Sequence, residues 1–129
     1  MKNKLFMLIF MSLATISMTY GQVYENVYEN SNDEVRAKLD QNKISGIDIL
    51  TGVVAHHEFT VSNMDENEKM GLIDLLKSNQ YVTKYDLSAK SNSLSIFSSA
   101  HMTKKMIVDL LNSLNLTLNE YAVAYSIDE

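Results

Sequence analysis

The chain has 129 residues, 46% apolar and 21% charged, with a formal net charge of −5; this suits one compact domain rather than a disordered tail or a multidomain enzyme. It contains no cysteine, which excludes a disulfide framework, a thiolate metal site and a cysteine nucleophile. With four glycines and no proline there is also no Gly-rich phosphate cradle of the Walker or dinucleotide-binding kind.

Lys2 and Lys4 precede an uninterrupted apolar run, Leu5 to Met11, and Thr19-Tyr20-Gly21 puts small residues at the third-last and last positions before Gln22. This pattern predicts a secretory signal peptide over residues 1–21, cleaved after Gly21. The apolar run is far short of the roughly 20 residues that span a bilayer, so no membrane span is expected after cleavage. The protein is therefore expected in the periplasm or outside the cell. Losing Lys2 and Lys4 from eleven cations leaves nine against sixteen acids, a net of −7. Such a domain repels phosphate backbones, and nucleic acid is not expected as a partner.

Residues 22–32, QVYENVYENSN, repeat the unit Val-Tyr-Glu-Asn; being polar and next to a cleavage site, they read as a flexible leader. Asp33 to Asn42 carries Val35, Ala37 and Leu39 among charges, with Asn32 or Asp33 as cap, and predicts a short helix. A connecting segment with Gly46 and Gly52 runs to residue 52. Over residues 53–129 the periods become clear. Val53, Ala55, His57, Phe59 and Val61 alternate with His56, Glu58 and Thr60, which predicts a first strand. Glu66 to Ser78 predicts a helix with Met70, Ile73 and Leu76 at its centre and Leu72 and Leu75 beside them, capped by Asn63 or Asp65.

Tyr81 to Leu87 and Ser93 to Phe97 predict a hairpin across Ser88-Ala89-Lys90-Ser91-Asn92. Ser99 is the expected cap of a second helix, in which Met102, Met106, Ile107, Leu110, Leu111 and Leu114 recur at three and four residues. Tyr121 to Ile127, YAVAYSI, is the last strand. Strand, helix, strand, strand, helix, strand is the ferredoxin-like βαββαβ order: an α+β sandwich with a four-stranded antiparallel sheet and two helices on one face.

The stretch from Phe59 to about Tyr121 resembles a heavy-metal-associated (HMA) domain, the small copper and zinc carrier module of metallochaperones and metal pumps. The resemblance lies in Val61-Ser62-Asn63-Met64 opening the first helix, in Val82, Tyr85 and Leu87 before the turn, in Leu94 and Ile96 after it, and in the second helix ending near Asn115-Leu116. It covers about half the chain. It implies a metal loop of the pattern Gly-Met-x-Cys-x-x-Cys, which falls here on Asn63 to Lys69. Of that pattern only Met64 is kept; the cysteine positions hold Glu66 and Lys69, so the metal site is degenerate. The resemblance implies that Met64 plugs the core beneath the loop.

His56, His57, Met64, His101, Met102 and Met106 supply imidazole and thioether, the donors of a thiolate-free copper site, and the pair to test by geometry is His57 with His101. Adjacent histidines on a strand point to opposite faces, so His56 and His57 do not share an ion. Asp65, Glu66 and Glu68 lack the oxygen-ligand alternation of a calcium loop and read as a solvated helix start. Acylphosphatases resemble this order of elements but hold phosphate with an arginine after strand one, whereas the single arginine here, Arg36, lies outside it.

No catalytic constellation and no cofactor is expected, and the chain reads as a non-catalytic module that binds a protein or its own copy. The open sheet face is expected to carry His56, Glu58, Thr60, Lys84, Asp86 and Phe97, together with tyrosines from strands two and four. Two alternatives compete: a helix or the Ile47 to Leu50 segment covers that face, or the uncharged strand YAVAYSI self-associates at an edge.

Overall fold

The computed structural model describes residues 23–62, 64–88 and 92–128. Its elements are helix α1 at residues 23–29, α2 Asp33–Ser45, β1 Val53–Val61, α3 Glu66–Ser78, β2 Val82–Ser88, β3 Ser93–Ser99, α4 Lys104–Ser113 and β4 Leu118–Ile127. From β1 onward the order is βαββαβ, and the strands form one sheet in the order β2-β3-β1-β4 with every pairing antiparallel. This is the expected ferredoxin-like α+β architecture. The predicted signal peptide and Asn63 lie outside the described residues, as do the three central residues of the hairpin turn.

Alternation along β1 sets the two faces of the sheet. Val53, Ala55, His57, Phe59 and Val61 are buried, and their neighbours on that face are Leu94, Ile96 and Ser98 of β3 and Tyr121, Val123, Tyr125 and Ile127 of β4. Helices α3 and α4 close the main core over it with Leu72, Leu76, Ile107 and Leu111. Asp65 caps α3 in a reciprocal capping box with Glu68. Thr103 rather than Ser99 caps α4, because β3 runs through Ser99 and the helix starts later than its apolar spacing suggests. On α3 the buried residues are Leu72 and Leu76, while Met70 is 63% exposed, so the stripe is centred one position off the expected one.

The leader reading is corrected. Residues 23–29 are helical, and Val27 is 1% exposed within a second core of Val35, Leu39, Leu50, Val53 and Ala100. A four-residue repeat is close to one helical turn, so Val23 and Val27 fall on one stripe and Tyr24 and Tyr28 on the next. The two tyrosine rings meet at 5.8 Å. From α2, Arg36 lies over the Tyr28 ring at 5.3 Å, and its guanidinium donates to the carbonyls of Tyr28 and Glu29, tying off the end of α1.

Helix α2 runs three residues past Asn42 and ends at Gly46, whose φ of 73° gives a left-handed cap. Asn42, itself 1% exposed, donates from Nδ2 to the carbonyls of Ile49 and Thr51 and clamps the connecting segment. Helices α1 and α2 pack on the helical side of the sheet, against Val53, Tyr125 and Ile127. Among the described residues nothing covers the opposite face. No helix among them is long and apolar enough to cross a membrane.

Candidate functional site

The β1 register separates the two adjacent histidines. His57 points into the core and is fully buried. Its Nδ1 lies 2.7 Å from the Tyr121 hydroxyl and its Nε2 3.0 Å from Ser98 Oγ, and Ser98 Oγ donates in turn to the Ser99 carbonyl at 2.8 Å. For the neutral ring only one assignment of protons satisfies all three contacts. Tyr121 donates its O–H to Nδ1, Nε2–H donates to Ser98, and Ser98 passes its proton to the backbone. Burial, with a smaller contribution from His56, pushes the His57 pKa down to about 4. Burial likewise raises the Tyr121 phenol, with Tyr125 adding to it, so the phenol stays protonated and remains a donor.

His101 lies after β3. Its Nε2 is 2.8 Å from Asp48 Oδ2, its Nδ1 is 3.0 Å from Ser99 Oγ, and its ring stacks on Tyr81 at 5.7 Å. Asp48 has its carboxyl held below the usual range, chiefly by the Leu50 backbone N–H and also by His101, against an opposing effect of burial. The proposed pairing of His57 with His101 is therefore not formed: each ring uses both nitrogens on different partners. Among the described residues no group of three His, Asp or Glu side chains is arranged to hold a metal ion.

The loop that corresponds to an HMA metal site is built differently. Met64 packs against the edge of the main core, and its N–H donates to Asn92 Oδ1 at 3.2 Å. Glu66 is exposed in the first turn of α3, and Lys69 is half-buried one turn on. Met102 is 1% exposed in the core and Met106 packs beside it, so both thioethers serve as apolar filling.

The outer sheet face carries the expected His56, Glu58, Thr60, Lys84, Asp86 and Phe97. His56 stacks on Phe97 at 4.1 Å with 7° between the planes, and Lys84 Nζ caps the far side of that group, 5.5 Å from the Phe97 centroid. His56 Nε2 is also held at 2.7 Å by Ser95 Oγ and lies 3.4 Å from Glu58. Next to this aromatic patch, Glu58, Asp86 and Glu120 rim a shallow concavity of about 490 Å³ floored by Ser93, Ser95 and Ala122. The expected tyrosines do not stand on the outer face. Tyr85 pairs with Ile96, and Tyr121 and Tyr125 pair with Phe59 and Ala55, all on the helical side. Their bulk, against the small residues Ala122, Ala124 and Ser126 at the alternate positions, favours the core for the tyrosine row.

No protein-family model matches this chain, and no curated protein matches it. In fold the chain is similar to HMA domains. One such structure is the apo form of the HMA domain of the copper chaperone for superoxide dismutase, at 12% identity over 52% of this chain and 68% of that one, with a TM-score of 0.45. Another is the copper(I)-loaded first domain of the human copper chaperone for SOD1, at 11% identity over 54% of this chain and 97% of that one, also with a TM-score of 0.45. This chain has no cysteine and hence no CxxC motif.

Proposed function

We propose that this chain is an exported, non-catalytic domain of HMA-like fold that acts by binding another protein, with the ancestral metal chemistry given up. The observation that carries the reading is the outer sheet face, which no described element covers. It joins a stacked His56–Phe97–Lys84 patch to a concavity rimmed by Glu58, Asp86 and Glu120. An aromatic platform beside three carboxylates suits a partner surface that is flat and basic. The histidines that would have served a copper carrier are instead committed to Tyr121, Ser98, Ser99 and Asp48. The signal pattern of residues 1–21 supports export, and the intact mass of protein from expressing cells is expected to match a chain beginning at Gln22.

The test places a photo-crosslinking residue at Thr60 or Asp86 on the outer face and, as control, at exposed Asp40 on α2. Adducts to one protein from Thr60 and Asp86, but not from Asp40, are expected. Equal or no adducts from all three positions contradict the reading, as does a one-equivalent copper titration that raises the melting temperature sharply.

A further inference from the structure

The two edges of the sheet are not alike. β2 is guarded: it carries Lys84 and Asp86 and a register shift between Val82 and Lys84. These are the devices that stop an edge from pairing with a foreign strand. Among the described residues β4 pairs only with β1, and from Tyr121 to Ile127 it has no charge, no proline and no bulge. The Asp128 N–H donates to the Gly52 carbonyl at 2.8 Å, which fixes the phase of the β1–β4 ladder. Hydrogen-bonded pairs are then 54 with 126, 56 with 124 and 58 with 122. Tyr121, Val123, Tyr125 and Ile127 therefore turn their N–H and C=O groups to the free edge.

Beside that edge runs a groove of about 620 Å³, walled by α1 through Val23, Asn26 and Val27 and by the start of α4 through Met102 and Lys104. Its charged lining residues are Lys104 and Lys105, a local excess of positive charge on an acidic protein. Lys104 lies over the Tyr121 ring at 5.5 Å, at the end of the groove where β4 begins, while Lys105 also reaches Asp109 at 3.4 Å.

We propose that this edge and groove accept an extended acidic segment of a partner protein as a fifth strand, antiparallel to β4. The exposed backbone groups supply the ladder, and the half-buried apolar side chains of Val23, Val123 and Tyr125 along the groove receive alternate side chains. An antiparallel guest ends where β4 starts, so its C-terminal end meets Lys104 and Lys105, and carboxylates there complete the fit. The proposal rests on the reading of the chain as an interaction module but uses a different surface from the outer face. Failure here leaves the Thr60 and Asp86 cross-links untouched.

The probe is a synthetic peptide of alternating Val and Thr ending in Asp-Glu, compared with the same peptide ending in Lys-Lys, titrated into the purified protein. The acid-ended peptide is expected to slow exchange of the Tyr121, Val123 and Tyr125 amides and to bind about tenfold tighter than the lysine-ended one. Lys104→Glu should erase that preference. Val123→Pro should abolish binding while circular dichroism stays native, because the N–H it removes faces away from β1. No binding of the acid-ended peptide at millimolar concentration, or equal binding of both, overturns the proposal. So does a dimer that Val123→Pro dissolves, since a second copy then occupies the edge.

Discussion

His57 is a buried base kept neutral by its surroundings, and it makes stability depend on pH in one direction. Below about pH 6.5 the unfolded chain takes up a proton at His57, while the folded chain does so only near pH 4, where burial has moved the group. Stability is thus full above pH 6.5, falls as the pH drops towards 4, and levels off for this group below that. Asp48, lowered by the Leu50 N–H and by His101, adds a loss in the same direction on further acidification. Urea melts from pH 8 to 4 are expected to show the decline; a flat profile contradicts the buried neutral imidazole. Tyr121→Phe leaves Nδ1 buried without a donor and should cost about 1–2 kcal/mol in the same melts at pH 7. The alternation of β1 makes the inward direction of His57 legible in the sequence. Its partners are not legible, because they lie 41 and 64 residues away and meet it only through the sheet register.

At the scale of elements, the N-terminal helices decide how much of the chain is ordered. Val27→Ala removes buried methyl groups from the second core and should lower stability by about 1–2 kcal/mol in urea denaturation. A loose leader would register no change. The repeat that makes α1 helical was visible as a four-residue period, but its polar composition and its place beside a cleavage pattern pointed to a tail. What decides the matter is Arg36 and the apolar residues of α2, which give α1 something to pack on. The tyrosines of β2 and β4 are a second case. Tyr121, Val123, Tyr125 and Ile127 form the bulky row of an alternating strand whose other row is Ala122, Ala124 and Ser126, so size alone indicated which row enters the core. Their amphipathic character suggested a surface role; the structure uses the ring for packing and, at Tyr121, the hydroxyl for His57.

Over the whole molecule, six elements in βαββαβ order were legible because each has a clear period, and antiparallel ladders between them leave little freedom in topology. The sites were less legible. The HMA resemblance directed attention to Met64, Glu66 and Lys69, whereas the exposed chemistry is collected by strand register on the outer face and along β4, from residues far apart in sequence. On the proposed reading, binding depends on what the sheet leaves unpaired. Residue-by-residue amide exchange across β4 in the isolated monomer tests this most directly. Slow exchange at Ala122, Ala124 and Ser126 alternating with fast exchange at Tyr121, Val123 and Tyr125 is the expected pattern. Uniform protection along the strand would contradict an edge open to a partner.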